Sequence, residues 1–168
     1  MCVEHVSKFN CPLFLRTKDE SGDNCLYFIA WIERRTGNKA LAVQVDGAGD
    51  FMGESTPLYI YCRRNGIHLQ KSSHQAQQEN GVAEAYNKVM HYTAETIKSA
   101  GQIADRFWPE CEEFACLVDT LIVKPAQTIT AYEMIHNIRP TVDLMKVFGC
   151  HGFAYVPKGQ RKNKMNYR

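Results

Sequence analysis

A chain of 168 residues, 45% of them hydrophobic, is the size of one domain and carries enough apolar material to fill a core. A formal net charge of +2 is too small to mark a nucleic-acid binder by itself, but Lys158, Arg161, Lys162, Lys164 and Arg168 follow one another without an acid, a run that reads either as a phosphate contact or as a solvated terminus. Seven cysteines without a CxxC pair or a secretory leader argue for reduced thiols in an intracellular compartment, and the longest apolar run, Cys25 to Ile32, falls well short of the roughly 20 residues that cross a bilayer, so a soluble protein without membrane contact is expected.

In chain order, "CPLFLR" (Cys11 to Arg16) reads as a strand. "TKDESGDNCLYFIAWIERRTGNK" reads as a helix with acids at its start, Arg34 and Arg35 in its last turn, Gly37 as stop signal, and Leu26, Ile29, Ala30 and Ile32 on its buried face. "KALAVQVD" (Lys39 to Asp46) alternates like a strand and runs into "DGAGD", which places Asp46 at a strand's C-terminal end. A short helix from about Ser55 to Arg64, closed by Asn65-Gly66, precedes a brief strand at "IHLQK" and the polar loop "SSHQAQQENG". From an N-cap at Asn80 onward, Val82, Tyr86, Val89, Thr93, Ile97 and Ala100 recur at helical spacing, and the opposite stripe holds Glu84, Asn87, Lys88, His91, Glu95 and Lys98. A further helix spans about Ala104 to Val123, ahead of Pro125. "TAYEMIHNIRP" follows, anchored by Tyr132, Met134 and Ile135, and the Val, Phe and Tyr content of "LMKVFGCHGFAYVP" favours strands. The chain has no internal repeat or low-complexity tract, and its alternation of strands and helices is α/β or α+β in character.

Asp46 at a strand end and Glu84 in the first turns of a later helix are placed to converge. Paired carboxylates suit Mg²⁺, which keeps its remaining positions for water or phosphate oxygens, and two such ions can hold the attacking and leaving oxygens of a displacement at phosphorus. Each residue also has a plainer reading: Glu84 and Lys88 at i,i+4 as a surface ion pair worth about 0.2–0.5 kcal/mol, and Asp46 as a turn residue before glycine. Other combinations carry less. Cys150-His151 reads as a core cysteine beside a surface histidine, and Cys62 near His68 as packing. Trp108 with Phe107 reads as a core anchor behind the Glu84 helix, or as a stacking platform for a base. Arg63-Arg64 are helix-terminal cations or DNA contacts, and Cys111 and Cys116 are poorly spaced for one metal.

The ordered segments "VDGAGDF", "YCRRNGI", "QENGVAEAYNKVM", "RFWPE", "TAYEMIHNIRP", "LMKVFGC" and "AYVPKGQRK" resemble the integrase of Ty1/copia-type retrotransposons, over about Phe9 to Lys162. The resemblance implies an RNase H-like catalytic core whose D,D,E carboxylates bind Mg²⁺ or Mn²⁺ and join element DNA to target DNA by strand transfer. Asp46 falls on the second aspartate and Glu84 on the glutamate, with 37 residues between them. Asn87, Lys88 and His91 become DNA contacts beside the glutamate, with Lys158, Arg161 and Lys162 as further nucleic-acid contacts. DNA and a second copy of the chain are the implied partners, and the nucleus is where an active form works.

The chain also departs from the family pattern. The first catalytic aspartate belongs to a strand upstream of this sequence, Asp50 replaces a glutamate, His74 to Gln77 replace a proline-containing segment, and Ala85 replaces an arginine. The expected fold is therefore α/β: a partial RNase H-like mixed sheet with flanking helices, its first strand missing and an edge exposed. Residues 1–124 would form the partial core and 125–168 an extension leading into a truncated SH3-like region. With two of three carboxylates the chain alone is expected to be inactive. The alternatives are a non-catalytic nucleic-acid-binding remnant and a translated relic.

Overall fold

The computed structural model describes residues 1–45, 51, 53–71, 81–143, 145–152, 155 and 157. The chain opens with a hairpin in which β1 (Cys2–Val3) runs antiparallel to β2 (Asn10–Cys11), Cys2 opposite Cys11 and Val3 opposite Asn10. Strands of two residues hold little by themselves, so the turn between them is fixed by a side chain. The Glu4 carboxylate accepts the Val6 N–H at 3.0 Å, the Ser7 N–H at 2.6 Å and the Ser7 hydroxyl at 2.5 Å. Burial pushes the Glu4 carboxyl up, but these three hydrogen bonds outweigh it and leave its pKa below the ordinary 4.5. A carboxyl depressed by folding stabilises the native state above its unfolded pKa and stops doing so as pH falls through the folded one. Acid titration of the unfolding midpoint should therefore show a loss of stability below pH 4.5 that Glu4→Gln removes.

The expected strand from Cys11 to Arg16 is corrected: only Cys11 belongs to a strand, and residues 12–15 run without strand pairing. Pro12 has no N–H to give, and no further strand joins β2 among the described residues. A 3₁₀ turn at Lys18–Glu20 leads into α1 (Ser21–Thr36), which carries Asp23 in its first turn and Arg34 and Arg35 in its last, both matched to the helix dipole. Gly37 ends it at φ 72°, a left-handed conformation glycine adopts without cost, its N–H donating to the Glu33 carbonyl. Ile29 is buried and Leu26 and Ile32 half-buried as expected, whereas Ala30 faces solvent.

β3 (Ala42–Val45), α2 (Pro57–Asn65) and β4 (His68–Lys71) form a strand-helix-strand crossover, and the two strands pair in parallel from Ala42 opposite His68 to Val45 opposite Lys71. The Thr56 hydroxyl caps α2 by accepting the Tyr59 N–H, Pro57 fills the first helical position where no N–H is needed, and Gly66 closes the helix. Ile29, Val45, Leu58, Cys62 and Ile67 bury one another here, with Cys25, Leu26 and Leu69 at the margin. The strand pairs β1–β2 and β3–β4 form two separate small sheets among the described residues, within a mixed α/β arrangement of strands and helices.

α3 (Gly81–Ala100) packs along α4 (Trp108–Thr120), which a 3₁₀ turn at Asp105–Phe107 introduces. Met90, Ala94, Cys111, Ala115 and Cys116 form a second core, with Ile97, Ile103, Phe148 and Met1 against it. The expected apolar face of α3 is therefore rotated. α4 covers the Met90–Ala94–Ile97 ridge, while Val82, Val89 and Ala100 stand in solvent, Val89 at 54% exposure. Trp108 and Phe107 are likewise no core anchor: they are 48% and 39% exposed, and Trp108 meets Phe14 edge-on at 5.2 Å.

A polar cluster ties the hairpin to the end of α4. The Asp119 carboxylate accepts the Asn10 amide at 2.6 Å and pairs with the Lys124 ammonium, which also lies 5.4 Å above the Tyr86 ring. The Gln127 amide donates to the Val6 and Ser7 carbonyls. α5 (Ala131–His136) is capped by the Thr130 hydroxyl and closed by Asn137 at φ 53°; it buries Ala131 and Ile135, with Tyr132 and Met134 half-buried. No strand forms among the described residues of 144–157, and Cys150, expected in the core, is exposed beside exposed His151. Strand propensity needs a partner strand to act on, and none is offered among the described residues.

Candidate metal and nucleic-acid site

The sequence-predicted site divides between described and undescribed residues. Asp46, Lys158, Arg161 and Lys162 lie outside the described residues, as do the expected N-cap Asn80 and most of the polar loop before it. Glu84, Asn87, Lys88 and His91 are all in the first three turns of α3, and all are exposed. Glu84 sits in the first turn, where the unpaired N–H groups of a helix favour negative charge.

The plain reading of Glu84 as half of an ion pair is not realised: among the described residues neither Glu84 nor Lys88 forms a salt bridge. Both are thus free of intramolecular claims among those residues. Further along the stripe the situation changes. His91 Nδ1 lies 3.2 Å from Glu112 Oε1 on α4, and Lys98 Nζ lies 2.8 Å from Glu95 Oε1 and 3.3 Å from Asp105 Oδ1. These groups and Trp108 line a cleft of about 190 Å³ between the two helices. Three carboxylates there meet one lysine and one histidine, so phosphate is poorly served at that end. The capacity for a phosphate contact concentrates at Asn87 and Lys88. Glu112 and Asp105 set this limit, and no spacing in the sequence pairs them with α3; only the packing of α4 brings them across.

β3 and β4 supply the other half of the geometry. Being parallel, they end side by side, and Val45, the residue before Asp46, is buried opposite Lys71. The C-terminal ends of both strands therefore lie at one end of the sheet, the usual position of a ligand site on a parallel sheet; Asp46 is next in sequence after one, and residues 72–80 separate the other from α3. A carboxylate that follows a strand and one exposed in a helix's first turn are the kind of donor set Mg²⁺ takes. Among the described residues no group of three or more His, Cys, Asp or Glu could hold a metal.

The cysteines do not compete for such a role. Burial raises the Cys62 and Cys111 thiols and pushes Cys116 up to about 12, which keeps all three protonated and poor as ligands or nucleophiles. His68 is exposed and 3.1 Å from the Gln70 amide, apart from buried Cys62. Arg63 and Arg64 are exposed in the last turn of α2. Among the described residues no helix is long and apolar enough to cross a membrane.

No family model matches the chain. It is 31% identical over 163 residues, 95% of its length, to the retrovirus-related Pol polyprotein from transposon TNT 1-94 of Nicotiana tabacum. It is 24% identical over the same length to the corresponding polyprotein from transposon RE1 of Arabidopsis thaliana. The chain spans only 12% and 11% of these two relatives. With similarity extending along nearly all of its residues, the chain has as its homologues the Ty1/copia-type retrovirus-related Pol polyproteins of plant transposons.

Proposed function

We propose that this chain is part of a copia-type integrase, an RNase H-like core over residues 1–124 with an extension over 125–168. Asp46 and Glu84 would carry Mg²⁺ or Mn²⁺, and Asn87 and Lys88 would meet DNA phosphate. The reaction of the whole machinery is metal-dependent phosphoryl transfer that joins element DNA to target DNA in the nucleus. A third carboxylate completes such a site in this family, beside the two that Asp46 and Glu84 supply. The observation that carries the reading is the parallel pairing of β3 with β4, whose C-terminal ends lie side by side, with Asp46 next in sequence after one and α3 following the other, and with Glu84 and Lys88 forming no salt bridge among the described residues. The relatives' description as retrovirus-related Pol polyproteins supports a nucleic-acid partner.

His91 enters this proposal more weakly than its neighbours because Glu112 already holds it. The charge pattern therefore ranks the contacts, with Lys88 first. Fluorescence anisotropy of a labelled DNA duplex should show an affinity that falls with salt, and Lys88→Ala should reduce the slope of log affinity against log salt by about 1. Glu84→Ala should leave that salt dependence and abolish any gain in affinity from Mg²⁺. An affinity indifferent to salt, or an unchanged slope in Lys88→Ala, would remove α3 from the DNA interface. Affinity that survives Glu84→Ala and never responds to Mg²⁺ would assign the chain to nucleic-acid binding without a metal site.

A further inference from the structure

Cys2 and Cys25 stand thiol to thiol, Sγ to Sγ 3.9 Å, although 23 positions separate them in the sequence. Cys2 lies on β1 and Cys25 in the second turn of α1, and both are half-buried. Cys25 packs against the first core, while Met1, next to Cys2, packs against the second. The thiol pair therefore sits on the seam between the two. A disulfide requires a sulfur separation near 2.0 Å, about 2 Å closer than here. Cys11 is the obvious rival, since it faces Cys2 across the ladder, but its Sγ lies 3.6 Å from the Pro12 carbonyl oxygen.

We propose that Cys2 and Cys25 form a redox site, closing to an intramolecular disulfide that locks the hairpin onto α1 when the chain meets a small-molecule disulfide such as oxidised glutathione. One cysteine thiolate attacks the oxidant's S–S bond and releases one reduced thiol. The second cysteine thiolate then displaces a second reduced thiol from the mixed disulfide. Two electrons pass from the cysteine pair to the oxidant, and the two cysteine protons end on the two released thiols. The hydrogen bond shared with Cys25, with burial, holds the Cys2 thiol above its ordinary pKa, so closure is slow at neutral pH and speeds up as pH rises.

The full chain, incubated with oxidised glutathione and alkylated before proteolysis, should yield a linked peptide pair containing Cys2 and Cys25 and lose two titratable thiols. Closing a loop of this size should raise Tm by about 5–10 °C, reversed by a reducing agent. Cys11→Ser should retain both effects, and Cys25→Ser should lose both. Should Cys25→Ser fail to fold, Cys2→Ser on the peripheral strand gives the same readout. Linkage of Cys2 to Cys11, of Cys25 to Cys62, or between chains would overturn the proposal, and so would stable mixed disulfides without closure.

Discussion

Leu58→Ala is expected to destabilise the protein by about 2–5 kcal/mol, the largest effect of any single truncation in the first core. Leu58 is fully buried, at 0% exposure, on the face of α2 that packs with Ile29 of α1 and Val45 of β3. Its removal deletes the contacts that hold α2 over the β3–β4 pair and leaves a cavity the surrounding helices cannot close. For a domain whose total stability is typically about 5–15 kcal/mol, such a loss takes a large part of the whole. Chemical denaturation would measure it, with Val89→Ala as the control. Val89 has the same apolar character but stands in solvent, so its truncation should change stability by no more than about 0.5 kcal/mol. Equal effects of the two would contradict the assignment of the core.

Asp119→Ala should cost about 3 kcal/mol through a different mechanism. The carboxylate serves two partners at once, the buried Asn10 amide from the hairpin and the part-buried Lys124 ammonium beyond the end of α4. Asn10 is only 3% exposed and the Lys124 side chain 15%, so the loss of their shared acceptor leaves the amide cut off from water and the ammonium poorly hydrated. An amide donor and a charge would then be stranded together. Asp119→Asn keeps an acceptor but removes the compensating charge, and should fall between the wild type and Asp119→Ala. Thermal unfolding of the three proteins gives that order directly; equal stability of the wild type and Asp119→Ala would show that the cluster holds nothing.

Residue pattern made the local elements legible. The acids before α1 and the arginines at its end, Gly37 and Gly66 at helix stops, and the alternation in β3 each act within a few residues of where they stand. What failed to show in the sequence was tertiary. The 3.6-residue spacing of α3 located an amphipathic helix, but two apolar rows, Val82–Val89 and Met90–Ala94–Ile97, were both available to it. Only the position of α4 decides which one is covered. The strand-forming residues after Cys11, and the described ones after Asp143, stay unpaired for a related reason: propensity proposes a strand, and a neighbour has to accept it. At the candidate site the same division holds. Glu84 and Lys88 could be read from their place in the helix, whereas the capture of His91 by Glu112 and of Lys98 by Asp105 depends on packing between α3 and α4.

The reading of the site rests on two carboxylates acting on one ion, and Mn²⁺ tests that most directly, because its unpaired electrons broaden the amide resonances of residues close to it. Titrated into the isotope-labelled full chain without DNA, Mn²⁺ should broaden residues around Asp46 and around Glu84 together, and Glu84→Gln should relieve both sets. Broadening at one position alone, at neither, or unaffected by Glu84→Gln would contradict a shared metal site.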